Sequence, residues 1–341
     1  MRAAVFSEFG GPEVVSVRKV PVPQPGPGEV RLRVEASAMN HLDLWVRRGL
    51  PIKTPMPHIG GSDIVGVVDA LGPGAEDVPL GLRVVVDPSL DYMDYYGRGR
   101  GGSFPRPDLR LLGEHTQGGF AEFAVVPAAN LLEIPAGYPS AKAAAAGLVF
   151  VTAWRALMVR GGLRAGERVL VTGASGGVST AAIQMALLAG AQVHAVTSGA
   201  ENVARVRELG AHFVYDRLAG DFSRALWADT GKEGVDLVLD SVGEAVWESC
   251  LRSLGVGGRL VTVGATTGAL GKTEIRLVFW KQLTLMGSTM GTPEEFRTVL
   301  KLAFDGRLDP VIHEEIPLNE IRRAHELLES GKVFGKLVVV P

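Results

Sequence analysis

The sequence predicts an α/β protein in which a doubly wound parallel sheet is joined to a second, β-rich domain. Three observations carry this. The segment Val169 to Ser179 runs from an apolar, β-branched stretch through Gly173, Ala174, Ser175, Gly176 and Gly177 into an apolar helical pattern, which is the order strand, glycine turn, helix. Beyond it, apolar strands alternate with amphipathic helices, as parallel strands joined by crossover helices require. Before it, short alternating strands are punctuated by glycine and proline, the mark of a compact, mostly antiparallel unit.

In chain order, the N-terminus reads as a strand with no signal-peptide pattern. Further strands are expected over Val14–Val20, Glu29–Ala36, Gly66–Leu71, Arg83–Asp87 and Glu122–Val126, with breaks at Pro23–Gly28 and Gly72–Gly74. After the glycine turn, a helix covers Thr180–Ala189 and stops at Gly190. Then come a strand Gln192–Thr197, a helix Glu201–Leu209, a strand Val235–Asp240, a helical pattern Glu244–Leu254 and a strand over Gly258–Gly264. Thr292, Pro293, Glu294 and Glu295 supply an N-cap, a proline at the first helical position and acidic first-turn residues for a helix ending near Gly306. A helix Glu320–Ser330 and a strand Lys336–Val340 close the chain. Residues 128–291 are thus expected as the parallel-sheet domain, and 1–127 with 292–341 as the β-rich one.

Composition narrows the function classes. A length of 341 residues suggests two domains, and a formal net charge of -2 gives no nucleic-acid footprint. The single cysteine, Cys250, excludes an internal disulfide framework and reads as a small buried hydrophobe. The longest apolar run, Ala143–Trp154, falls short of the roughly 20 residues that span a bilayer. A soluble cytoplasmic protein without membrane or nucleic-acid partners is expected.

The glycine turn suits a dinucleotide. Unpaired N–H groups at a helix N-terminus, with the helix dipole, attract a pyrophosphate, and small residues let the backbone approach it. Ligands on such sheets bind at the carboxyl ends of strands, where Ser175, Thr197, Ser241 and Gly264 stand. The second strand ends in Thr197, Ser198 and Gly199 rather than in an acid. A 2′-phosphate is therefore not repelled, and NADP(H) is favoured over NAD(H).

With those residues in view, the whole chain resembles the medium-chain dehydrogenase/reductases, the superfamily of zinc alcohol dehydrogenases and quinone oxidoreductases. The matching segments include Gly10–Val14, Pro25–Val30, Ala38–Asp43, Gly60–Asp63, Gly118–Phe123, Thr152–Trp154, Gly173–Val178 and Gly335–Lys336. The resemblance implies a GroES-like catalytic domain built from both chain ends, a Rossmann domain between them and an active site in the cleft. It also implies cofactor contacts at Ser175, Gly176, Gly177, Val178, Thr197, Ser198, Tyr215, Ser241, Val242, Gly264, Ala265, Met286 and Ser288. Tyr215 would touch the 2′-phosphate, and Lys336 would either reach a phosphate or stand in solvent. Ser179 replaces the third glycine of the turn, which would loosen helix–strand packing.

Zinc-dependent members place a cysteine at Asn40, a His-Glu pair at Ser62 and Asp63, and a third ligand near Leu148. None of Asn40, Ser62 and Leu148 is a zinc ligand type. The structural-zinc cysteines would fall at Asp91, Asp94 and Gly97, in a tyrosine-rich loop that is either solvated or at the cleft mouth. Other candidate ligands (His41, Asp43, His58, Asp63 and His115) show no local metal spacing, so no metal is expected. Zinc-free members reduce quinones or α,β-unsaturated carbonyls, acceptors already electrophilic enough to dispense with a strong Lewis acid. Asn40 and Thr152 carry donors for the developing oxyanion, while Asp43 would order the loop. For both Asn40 and Asp43 the alternative is simple loop anchoring. Leu283–Ser288 resembles the edge strand that joins family dimers, so a homodimer is expected. The rival functions are an alcohol or aldehyde dehydrogenase with an unforeseen metal, and a non-catalytic, crystallin-like nucleotide-binding protein.

Overall fold

A computed structural model describes residues 1–90 and 109–341; the tyrosine-rich loop with Asp91, Asp94 and Gly97 lies outside the described residues. The chain divides into two compact units, one of residues 1–148, 291–306 and 310–341, the other of 149–290 and 307–309.

The first unit opens with β1 (Arg2–Val5) and β2 (Ser16–Lys19), an antiparallel pair. Next come β3 (Glu29–Ala38), α1 (His41–Arg48), β4 (Asp63–Leu71), β5 (Arg83–Val86), β6 (Ser89–Leu90), β7 (Arg110–Leu111), β8 (Phe123–Pro127) and β9 (Leu131–Glu133). In β3 the apolar Val30, Leu32, Val34 and Ala36 alternate with Glu29, Arg31, Arg33 and Glu35. That period of two puts one face on a core shared with Ile64, Val84, Val86 and Val126. The expected boundary near residue 127 is displaced because β9 pairs with β5, which keeps the segment up to Leu148 with the first unit.

Helix α2 (Ser140–Trp154) follows, apolar on all sides, and continues into the π-helical turn Arg155–Arg160. Among the described residues, the stretch Ser140–Arg160 alone is long and apolar enough to cross a membrane, and 72% of its apolar window is buried within the protein. At Gly147 the backbone leaves helical geometry (φ -24°, ψ -106°).

The second unit then builds β10 (Arg168–Val171), α3 (Gly177–Leu188), β11 (Gln192–Thr197), α4 (Ala200–Glu208), β12 (Phe213–Asp216), α5 (Phe222–Asp229), β13 (Val235–Asp240), α6 (Trp247–Ser253), β14 (Leu254–Thr262), α7 (Ile275–Trp280) and β15 (Thr284–Gly287). All pairings are parallel, in the order β12-β11-β10-β13-β14-β15. Val169, Leu170 and Val171 are fully buried, as strands covered on both faces require. Strand order reverses between β10 and β13, the place where such sheets open a crevice for a ligand.

The chain returns to the first unit with α8 (Pro293–Phe304), β16 (Ile312–Pro317), α9 (Ile321–Glu329) and β17 (Lys336–Val340). Thr292 caps α8 through the Glu295 N–H, as its sequence predicts. β16 was not evident in the sequence. It runs parallel to β17, and β17 runs antiparallel to the end of β3, pairing Val338 with Ala38. That last pairing brings the C-terminal strand alongside Asn40.

Candidate active site and cofactor cradle

In the second unit, the turn from β10 into α3 is built on Gly173 at φ +56°, a left-handed conformation that favours glycine. A Cβ there would also press to 2.9 Å of Val242. The Ala174 N–H bonds the Val196 carbonyl at 2.9 Å, tying the turn to the neighbouring strand. Gly176 is the N-cap of α3 and no side chain caps the helix, leaving its N-terminal N–H groups for an anion. The helix starts at Gly177, earlier than the sequence pattern indicates, so Gly177 and Val178 lie in its first turn.

Ser179 tightens this turn rather than loosening it. Its hydroxyl donates to the Thr172 carbonyl at 2.7 Å and lies 3.4 Å from Ser241 Oγ. Asp240 accepts from Thr172 Oγ1 at 2.7 Å and from the N–H groups of Val242 and Gly243 at 3.0 and 3.1 Å. Ser241 and Val242 are thereby fixed at the end of β13. Gly264 and Ala265 follow β14, where a Cβ on Gly264 would approach the Ser241 carbonyl to 2.9 Å. Met286 lies on β15, and Ser288, just beyond it, donates its N–H to the Thr262 carbonyl at 3.0 Å. The hydroxyls of Thr197 and Ser288 are buried and have no hydrogen-bond partner among the described residues. Hydroxyls so placed fit a polar ligand at the carboxyl ends of β11 and β15.

Two expected cofactor residues stand elsewhere. Tyr215 is a core residue: its hydroxyl lies 2.9 Å from His194 Nδ1 and donates to Asp229 at 3.0 Å. It points inward because the alternation of β12 turns it away from the strand end. Sequence reasoning missed Arg217, just beyond β12, whose Nε donates to Ser198 Oγ at 2.7 Å. Asp216 Oδ1 accepts the backbone N–H groups of Gly199 and Leu218 at 3.1 and 2.9 Å.

Lys336 is the second correction. Neither solvated nor free for a phosphate, it is 4% exposed in the first unit. Its ammonium donates to Asn40 Oδ1 at 2.6 Å and to Asp63 Oδ2 at 3.2 Å. Asn40 Nδ2 donates to the same Asp63 oxygen at 2.9 Å. Asp63 Oδ1 accepts the Leu148 N–H at 2.6 Å, which the break at Gly147 presents to it. Burial pushes the Lys336 ammonium below the usual lysine range, and Asp63 pulls it back.

Asp43 takes the Asn40 N–H at 2.7 Å on one oxygen and the Gly61 N–H at 2.9 Å on the other. Burial pushes its carboxyl up to about 6, against those two bonds. Both oxygens are engaged by backbone N–H groups of the loops that Asp43 ties together. Thr152 belongs to the second unit, its hydroxyl 3.9 Å from Met290 Sδ. His58 holds the loop at the Gly113 carbonyl, and His115 Nδ1 accepts the Leu111 N–H. Among the described residues, no three of His, Cys, Asp and Glu converge as a metal would need.

Residues 26–136 match the family described as alcohol dehydrogenase GroES-like domain, and residues 177–305 match that described as zinc-binding dehydrogenase. The chain is similar along its whole length to a quinone oxidoreductase of Homo sapiens, 30% identical over 351 residues that cover 98% of that protein. It is a medium-chain dehydrogenase/reductase. An acryloyl-coenzyme A reductase of Sulfurisphaera tokodaii is 29% identical over 95% of this chain and 96% of that one. A solved NAD-dependent alcohol dehydrogenase is 40% identical, with a TM-score of 0.93 and complete coverage of both chains. This dehydrogenase/reductase is accordingly an oxidoreductase with a GroES-like unit and a Rossmann unit.

The zinc-dependent members of this family set the test for a catalytic metal. At the corresponding positions this dehydrogenase/reductase offers an amide, a hydroxyl, an aliphatic side chain and one carboxylate. That carboxylate, Asp63, is already held by Lys336, Asn40 and Leu148. A metal cation beside the buried ammonium would be repelled. The donor set does not fit zinc.

Proposed function

We propose that this protein is a zinc-independent reductase that uses NADPH to reduce a quinone or the β-carbon of an α,β-unsaturated carbonyl. The observation that carries this is the Asn40–Asp63–Lys336 cluster, which offers hydrogen-bond donors and a fixed positive charge where metal-using relatives have ligands. The relatives named quinone oxidoreductase and acryloyl-coenzyme A reductase act on acceptors of this kind.

Bound NADPH would supply the hydride. Ser175, Gly176, Gly177 and Val178 would hold its pyrophosphate, with Ser241, Val242, Gly264 and Ala265 along the dinucleotide and Met286 and Ser288 at the nicotinamide. Thr197 and Ser198 would face the adenosine ribose, and Arg217 beside Ser198 would pair with a 2′-phosphate. As hydride reaches the β-carbon, the carbon–carbon π pair moves toward the carbonyl oxygen. Asn40 Nδ2 would donate to that oxygen, and water would protonate the enolate at its α-carbon.

A cytoplasmic homodimer completes the reading. β15 is an edge strand, and Trp280 and Phe279 on the preceding helix are 80% and 62% exposed. An open apolar edge of this kind is satisfied by pairing with a second copy. Light scattering that gives a monomer mass at micromolar concentration would remove the dimer.

The identity of 40% to a structure named as an NAD-dependent alcohol dehydrogenase favours a second reading, alcohol or aldehyde oxidation. Nicotinamide absorbance, followed with a panel of quinones, enones and alcohols before and after chelation, separates the two. NADPH-dependent, chelator-insensitive reduction is expected; alcohol oxidation that a chelator abolishes would replace it.

A further inference from the structure

We propose that Lys336 is a positioning residue, a buried ammonium that stands in for a metal's charge by orienting and polarising the Asn40 amide. This rests on the reading of Asn40 as donor to the substrate carbonyl.

The geometry gives the reasons. Burying a lysine beside a carboxylate is weak evidence of stabilisation, because an apolar pair packs as well at lower desolvation cost. The ammonium also lies closer to the amide oxygen of Asn40, at 2.6 Å, than to the Asp63 carboxylate, at 3.2 Å. A lysine present only to neutralise Asp63 would favour the carboxylate. With a donor on Oδ1 and an acceptor on Nδ2, the Asn40 amide has one satisfactory orientation. One Nδ2 hydrogen points to Asp63; the other has the Ala38 carbonyl at 3.4 Å, a long contact readily exchanged for a better acceptor. A positive charge on Oδ1 draws electron density from the amide nitrogen and strengthens that second N–H as a donor.

The fold puts this ammonium there deliberately far along the chain. Pairing of β17 with β3, extended by the Met39 N–H to the Leu337 carbonyl at 2.9 Å, sets Lys336 beside Asn40. The charged groups that act on Lys336 are Asp63 and Asp43, and both oxygens of Asp43 are held by backbone N–H groups.

The test uses the full-length protein and four variants: Asn40→Ala, Lys336→Gln, Lys336→Met, and Asn40→Ala with Lys336→Met. Melting temperature, NADPH affinity, and kcat and KM are measured with benzoquinone and cyclohexenone. Lys336→Gln keeps a donor to Asn40 and Asp63, so it tests the charge even where Lys336→Met folds poorly. Losing a preorganised donor lowers kcat about a hundredfold; weakening one should lower it roughly tenfold in Lys336→Gln and more in Lys336→Met. NADPH affinity and KM should move less than about threefold. In the Asn40→Ala background, Lys336→Met should add no further loss of kcat, because residues acting through one group are not additive. Unchanged kcat in both Lys336 variants would overturn the proposal. So would a Lys336→Met loss that persists in full without Asn40. If Asn40→Ala itself retains kcat, the donor reading of Asn40 fails and takes the proposal with it, whereas a loss confined to Asn40→Ala leaves that reading intact and removes Lys336 alone.

Discussion

Replacing Lys336 with methionine isolates the ammonium from its packing, because the side chains are of similar length. In the native protein the Lys336 and Asp63 side chains are 5% and 0% exposed. After the substitution, Asp63 keeps the Asn40 Nδ2 and Leu148 N–H donors at 2.9 and 2.6 Å but loses its counter-charge. Removing one partner of a buried pair costs about 3–5 kcal/mol. Relief of the lysine's own desolvation offsets part of this, so about 3 kcal/mol is the expected net loss. For a unit of this size each kcal/mol shifts Tm by roughly 2–4 °C, which gives a fall of roughly 6–12 °C. The assay is calorimetry of both proteins at about pH 7. A variant that melts within about 2 °C of the parent at neutral pH would refute the reasoning, since Asp63 would then not depend on the ammonium.

Other expectations concern separate parts of the molecule. Gly147→Ala places a methyl group onto the Asp63 carboxylate, so it should destabilise the protein and lower kcat together, read by melting and steady-state kinetics. Arg217→Ala should weaken NADPH binding about tenfold or more while leaving NADH binding nearly unchanged, by titration of each cofactor; equal losses for both would place the 2′-phosphate elsewhere. His194 is held by burial near 4, below its ordinary 6.5. Its contribution, roughly 3 kcal/mol, is complete above pH 6.5 and lost as pH falls toward 4. Burial raises Asp43 and Asp87 to about 6, which gives them the opposite slope over an overlapping window. The comparison is therefore with His194→Phe: the parent's unfolding free energy minus the variant's should rise as pH goes from 4 to 6.5, since the aspartate contributions cancel in that difference.

The parallel sheet and its phosphate turn were legible because their signals are local. Strand, glycine turn and helix occupy adjacent residues, and Gly173, Gly176 and Gly177 have one physical reading there. α2 was legible only as an apolar run, since a helix buried on every side shows no periodicity. β16, with Glu314 and Glu315 in an edge strand, hid behind its polarity. Tyr215 was misassigned because a strand's residue types do not say which of them reaches the ligand end. The Asn40–Lys336 contact was out of reach for another reason. It joins residues 296 positions apart through a strand pairing, and nothing in the local pattern of a C-terminal Lys-Leu-Val-Val-Val strand announces a buried ammonium. Asn40 was visible as a candidate, but the group that fixes its amide was not.

The most direct test of the central claim is to reduce cyclohexenone with NADPH carrying deuterium at its transferable hydride position, after exhaustive chelation, and to locate the label by NMR. The account predicts cyclohexanone with deuterium at the β-carbon, formed at the same rate as before chelation. An allylic alcohol labelled at the carbonyl carbon, or turnover that vanishes with the metal, would contradict it.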